Sequence, residues 1–138
     1  MGVDENEGPV ITMGRVSDAE LAWLYRNALG LICFAHEDFG LTPVEAALEG
    51  TPTLAVADSG YLDTIVNGVN GILAPNRNID DVVISAKEFL STTWDRASIM
   101  ESAERFSVQR HITNLRALAQ GLLGEPTVTG EVTSQLPT

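Results

Sequence analysis

Residues 31–57 read LICFAHEDFGLTPVEAALEGTPTLAVA, and this stretch decides the fold class. Its two apolar segments, Leu31–Ala35 and Thr53–Ala57, do not alternate with polar residues. Such segments are typical of parallel strands that are covered on both faces. Between them, Thr42–Glu45 has the spacing of a capping box with proline at the first helical position, which predicts a helix to about Glu49. The strand–helix–strand order predicts an α/β fold with a mostly parallel sheet.

Further elements follow on both sides of this stretch, from end signals and apolar spacing. The sequence predicts a helix that begins with the capping box Ser17–Glu20, a helix over Tyr61–Val66, weak strands at Pro9–Met13 and Gly71–Ala74, helices over Asp80–Leu90 and Asp95–Glu104, and a long amphipathic helix from Val108 to Leu122. We therefore expect one partial domain over residues 1–124. The remaining residues, 125–138, are rich in Thr, Gly and Pro, and we expect them to be disordered.

Composition excludes several classes of function. The chain has 138 residues, which fits one domain, and a formal net charge of −11. Such an acidic surface repels nucleic acid and anionic lipid, so neither is an expected partner. A single cysteine excludes an internal disulfide framework and a cysteine-based zinc site. No apolar run is long enough to span a bilayer and the N-terminus is acidic, so we expect a cytoplasmic location.

The segment that leaves the first strand carries the candidate chemistry. A helix N-terminus offers unpaired N–H groups to an anion, and Gly40 allows close approach of the backbone to a ligand. Glu37 and Glu45 flank this helix start, and carboxylates accept hydrogen bonds from vicinal hydroxyls. The pattern therefore suits a ligand with both phosphate and sugar. Two other interpretations stay open: Glu45 completes a capping box with Thr42, and Glu37 and Asp38 are ordinary solvated loop residues.

Several matched segments resemble one enzyme family. Glu37 and Glu45 are separated by seven residues, and the matching segments around them are Gly14–Leu21, Leu24–Ala28, Gly60–Asp63 and Asn67–Gly71. Together they resemble the retaining GT-B-fold glycosyltransferases of family four, the "group 1" glycosyl transferases, closely over Val10–Pro75. The resemblance implies a Rossmann-like three-layer parallel sheet, which here is the partial C-terminal portion of the donor domain. It also implies an enzyme, a hexosyltransferase.

The resemblance also implies roles for individual residues. Glu37 would hold hydroxyls of the donor sugar as the residue of the catalytic centre, and Glu45 would bind the ribose. The remaining implied contacts are made by the backbones of Phe39 and Gly40 beside the sugar and by the amides of Leu41 and Thr42 at the diphosphate. The expected donor is a UDP- or GDP-sugar, with no cofactor and no metal. Catalysis would rest on positioning and on stabilising the departing diphosphate, with retention of anomeric configuration.

Parts of the family pattern find no match in this sequence. These are the arginine and lysine that neutralise the diphosphate and the whole acceptor-binding domain, so we expect little or no transfer by this chain alone. The family's paired glycines are replaced by Ser59-Gly60, after Asp58. The family's strand order makes Leu31–Ala35 an interior strand, so its edge would be exposed here. We expect a homodimer through that edge, or Pro9–Met13 covering it.

A second functional class stays open, in which the chain is a non-catalytic Rossmann-like interaction or relic module. Binding of UDP or GDP that depends on Glu45 would favour the transferase. The absence of any stabilisation by nucleotide would favour the module.

Overall fold

The structure, a computed structural model, describes residues 10–123. Its elements are α1 (Asp18–Asn27), β1 (Leu31–Cys33), α2 (Leu41–Leu48), β2 (Thr53–Val56), α3 (Tyr61–Thr64), β3 (Gly71–Ala74), α4 (Ile79–Ser91), α5 (Arg96–Ala103), a 3-10 turn (Glu104–Phe106) and α6 (Val108–Leu123). The expected disordered tail, residues 125–138, lies outside the described residues. The helices described within residues 10–123 include no candidate for a membrane-spanning segment.

The three strands form one parallel sheet in the order β1-β2-β3. All four residues of β2 are buried, because α2 and α3 cover one face of the sheet and α4 covers the other. Ala55 and Val56 of β2 pack in one buried cluster with Tyr61 and Ile65. Leu54 packs in a second cluster with Ile72 and Phe89. The predicted α/β Rossmann-like fold is therefore confirmed, and β2 is covered on both faces as predicted. The first predicted strand, Leu31–Ala35, is shorter than predicted because β1 ends at Cys33, and it is only partly buried.

β1 lies at one edge of this sheet. Within the described residues it pairs with β2 alone, and the side chain of Ile32 is 66% exposed. The prediction that Pro9–Met13 covers this edge is wrong for its described residues, 10–13, which form no strand. Val10, Ile11 and Met13 are all exposed, so no burial supports a strand there.

The two predicted capping boxes have different outcomes. At α1 the prediction is confirmed, because the Ser17 hydroxyl accepts from the Glu20 amide and the Glu20 carboxylate accepts from the Ser17 amide at 2.8 Å. At α2 the prediction is wrong, because the helix begins at Leu41 and Gly40 is its N-cap, with no side-chain hydrogen bond to the cap. Gly40 has φ +80, a left-handed conformation that turns the chain into the helix two residues before the predicted start.

The helices after β2 mostly follow the prediction. α4 and α5 begin after the N-caps Asn78 and Asp95, whose side chains accept from helix amides. α3 ends at Thr64, before the predicted Val66, because Ile65 is already extended. α6 belongs to a second compact unit that begins at Arg105, and it confirms the predicted long helix.

Candidate functional site

Three loops meet at the carboxyl ends of the strands. They comprise residues 34–40 after β1, residues 57–60 after β2 and residues 75–78 after β3. Ligands of parallel α/β sheets bind at this edge. The predicted site residues Glu37 to Thr42 lie in the first loop and in the first turn of α2.

Gly60 holds the first loop in place. Its amide donates to the carbonyl of Glu37 at 3.0 Å. A Cβ at position 60 would lie 2.2 Å from the carbonyl carbon of Phe39, so only glycine fits so closely against this backbone. Gly40 is also packed tightly, because a Cβ there would lie 3.0 Å from the hydroxyl of Thr64. The backbone from Glu37 to Gly40 is therefore fixed by the start of α3.

The first turn of α2 presents amide donors at this edge. Leu41 and Thr42 occupy its first two positions, where an N–H has no acceptor within the helix. Pro43 follows at the third position and has no N–H to offer. Phe39 and Leu41 are 46% and 60% exposed, so the start of this turn is accessible to solvent, whereas Pro43 is buried. Because a helix N-terminus also carries partial positive charge, the turn suits an anion.

Glu45 lies four residues after Leu41 and therefore on the same face of α2. Its carboxylate accepts from the hydroxyl of Tyr25 on α1 at 3.3 Å. Burial and the neighbouring Glu45 carboxylate raise the pKa of Tyr25 to about 12. Since α2 has no side-chain cap, the interpretation of Glu45 as a capping-box residue is wrong.

A groove of about 240 Å³ runs beside Glu45, between α1 and α2. Its other lining residues are Asp18, Leu21, Ala22, Tyr25, Leu48 and Glu49. The groove combines apolar side chains with the carboxylates of Asp18, Glu45 and Glu49. Such a surface can accept a flat ring and hydroxyl groups together.

Glu37 is half-buried and lies close to Cys33 and Tyr61. Burial raises the pKa of the Cys33 thiol, a hydrogen bond with Tyr61 opposes this rise, and the charge of Glu37 adds to it. Cys33 also adds to the raised pKa of Tyr25, the tyrosine that contacts Glu45.

Arg77 is a residue of this edge that the sequence analysis did not single out. Its Nε donates to the carbonyl of Phe34 at 3.1 Å, and its Nη2 donates to the carbonyl of Ala35 at 3.4 Å. The same Nη2 lies 2.8 Å from the carboxylate of Asp58. One side chain from the β3 loop thus joins the loops after β1 and β2.

Asp58 is the centre of a polar cluster around Arg77. It contacts His36 Nδ1 at 3.4 Å and accepts from the Ser59 hydroxyl at 3.1 Å. Hydrogen bonds from Arg77, His36 and Ser59 hold the pKa of Asp58 below its usual range. Ser59 has φ +46, so it occupies a left-handed conformation in which glycine is favoured. Among residues 10–123, no three His, Cys, Asp or Glu side chains are grouped so that they could hold a metal ion.

The chain is similar to known glycosyltransferases. It is 34% identical over 92 residues to an alpha-1,3/1,6-mannosyltransferase of Dictyostelium discoideum, a match covering 59% of this chain and 22% of that protein. It is 37% identical over 83 residues to a D-inositol 3-phosphate glycosyltransferase of Kribbella flavida, covering 59% of this chain and 19% of that protein. The chain thus spans about a fifth of the length of these two relatives.

A solved structure and a family description complete the comparison. The fold matches sucrose-phosphate synthase from Thermosynechococcus elongatus with a TM-score of 0.63 and 24% identity, over 81% of this chain and 30% of that one. The sequence model of the family "Glycosyl transferases group 1" matches residues 5–106. The chain therefore belongs to the group 1 glycosyl transferases.

Proposed function

We propose that this chain forms the donor side of a retaining hexosyltransferase and binds a nucleoside-diphosphate sugar, a UDP- or GDP-sugar. One observation carries the proposal. Gly40 opens α2 so that the amides of Leu41 and Thr42 have no acceptor within the helix, with Glu37 before this turn and the exposed Glu45 after it. Diphosphate, sugar and ribose are the groups that such an arrangement suits.

Each part of the donor has a place in this proposal. The diphosphate accepts hydrogen bonds from the amides of Leu41 and Thr42. The ribose hydroxyls donate to Glu45, and the groove between α1 and α2 receives the nucleoside. The sugar lies beside the backbone of Phe39 and Gly40, with its hydroxyls on Glu37.

Transfer in this proposal depends on positioning and on charge. As the bond between sugar and diphosphate breaks, negative charge grows on the leaving diphosphate, and the amides and dipole of α2 stabilise it. Glu37 holds the sugar so that the acceptor hydroxyl approaches the face from which the diphosphate leaves. No step of this proposed transfer uses a metal ion or a cofactor.

We further propose that the acceptor side comes from residues outside this chain, because the chain spans only about a fifth of its two curated relatives. By itself the chain then binds donor with little or no turnover. Within residues 10–123 the outer edge of β1 has no partner strand and Ile32 is exposed, which also favours a homodimer of the isolated chain.

Isothermal titration with UDP, GDP and their hexose derivatives tests the binding. Replacing Glu45 by Gln removes the negative acceptor and is expected to weaken binding about tenfold, in line with about 1.5 kcal/mol for a hydrogen bond to a charged group. Glu88→Gln, on the exposed surface of α4, is the matched control and should bind as the wild-type chain does. No binding by the wild-type chain at millimolar nucleotide would support the non-catalytic module instead.

A further inference from the structure

Arg77 connects all three loops at the carboxyl edge of the sheet. It lies after β3, donates to two carbonyls after β1, and pairs with Asp58 after β2. The ion pair with Asp58 orients the guanidinium, whose several N–H donors can reach the carboxylate and both carbonyls together. A lysine ammonium, as a single point of charge, cannot reproduce this set of contacts at once.

These contacts act on the backbone that carries Glu37. Arg77 holds the carbonyls of Phe34 and Ala35, on one side of Glu37. On the other side, Gly60 holds the carbonyl of Glu37 itself at 3.0 Å. The segment from Ala35 to Glu37 is thus anchored at both ends, and Arg77 supplies the anchor on the strand side.

We infer that Arg77 is a positioning residue. It holds the backbone that carries Glu37 so that the Glu37 carboxylate can bind the sugar of the donor. This inference rests on the proposed donor binding. Arg77 should then affect the binding of only one part of the ligand. The nucleoside and the diphosphate bind at α2 and in the groove beside Glu45, and Arg77 contacts neither of these places. Loss of Arg77 should therefore weaken the binding of the sugar and leave the affinity for the nucleoside diphosphate unchanged.

The test compares the dissociation constants of a UDP- or GDP-hexose and of the matching nucleoside diphosphate, by isothermal titration. In Arg77→Gln we expect the preference of the wild-type chain for the sugar form to fall about fivefold, with the nucleoside diphosphate bound within about twofold of wild type. Arg77→Lys should restore only part of the preference. Asp58→Asn, which removes the ion pair with the guanidinium, should also lower the preference for the sugar form, but by less than Arg77→Gln does.

Two controls accompany the titration. Arg110→Gln on α6 makes the same chemical change at an exposed site and should leave both constants unchanged. Hydrogen exchange without ligand should show faster amides at residues 35–38 in Arg77→Gln, because one anchor of this backbone is lost.

The outcomes separate the inference from the proposed function. Equal weakening of both ligands in Arg77→Gln, or an unchanged preference, overturns the inference alone, as does a wild-type chain without any preference for the sugar form. If the wild-type chain binds neither ligand, the proposed function is overturned and the inference falls with it.

Discussion

Gly60→Ala tests the packing that fixes the first loop. Gly60 has φ −60 and ψ −18, a conformation that alanine adopts freely, so backbone strain plays no part. The added Cβ would lie 2.2 Å from the carbonyl carbon of Phe39, 2.4 Å from its Cα and 2.5 Å from its nitrogen. Backbone atoms cannot rotate away as a side chain can. The loop must therefore shift, and the hydrogen bond from the Gly60 amide to Glu37 is strained or lost.

The expected size of the effect follows from these contacts. Overpacking costs about 1–3 kcal/mol, and loss of one hydrogen bond adds about 1 kcal/mol. Alanine restricts the unfolded chain, which offsets roughly 0.4–1 kcal/mol. The free energy of unfolding should thus fall by about 1.5–3 kcal/mol, which lowers Tm by roughly 6–12 °C for a domain of this size.

Thermal unfolding followed by circular dichroism measures the change. Gly121→Ala is the matched control, because a Cβ there meets no heavy atom within 4 Å, and it should raise stability by about 0.5–1 kcal/mol. A Gly60→Ala chain that melts within about 2 °C of wild type would refute the reasoning.

Three further predictions concern a buried hydroxyl, a tyrosine and the sheet edge. The Thr53 hydroxyl is buried without a hydrogen-bond partner among residues 10–123, so Thr53→Val should raise the free energy of unfolding by about 1 kcal/mol in urea titration; a destabilised variant would contradict this. Tyr25, with its pKa raised to about 12, contributes stability that is full below about pH 10 and is lost as the pH rises through 12. The Tyr25→Phe variant should therefore lose less stability than the wild-type chain between about pH 10 and 12. Parallel curves of stability against pH for the two chains would argue against the contact between Tyr25 and Glu45. Ile32→Lys should convert the proposed homodimer to monomer in light scattering, whereas a wild-type monomer would exclude the dimer.

The sequence predicts β1, β2 and β3 well, but it predicts a strand at Pro9–Met13 and the start of α2 wrongly. Leu31–Ala35 and Thr53–Ala57 are continuous apolar segments, which are typical of parallel strands, although only the second forms a strand that is buried on both faces. The start of α2 depends instead on Gly40, which is buried against Thr64 of α3. The left-handed turn at Gly40 is supported by that long-range contact, which no local capping pattern reveals.

The candidate site likewise contains residues that the sequence identifies and residues that only the fold brings together. Glu37 and Glu45 stand within one short segment whose spacing and neighbours could be recognised in the sequence. Arg77 is 43 and 42 residues away from the carbonyls of Phe34 and Ala35, so its part in the site exists only after the strands are ordered. Tyr25 likewise meets Glu45 across 20 residues, because α1 packs against α2.

The most direct measurement of the central claim is a titration of the ¹⁵N-labelled chain with a UDP- or GDP-hexose, followed by amide chemical shifts. We expect the largest changes at the amides of Leu41 and Thr42, with further changes at Gly40 and Glu45. Shifts confined to α4 or α6, or none at millimolar ligand, would contradict the assignment of the donor diphosphate to the first turn of α2.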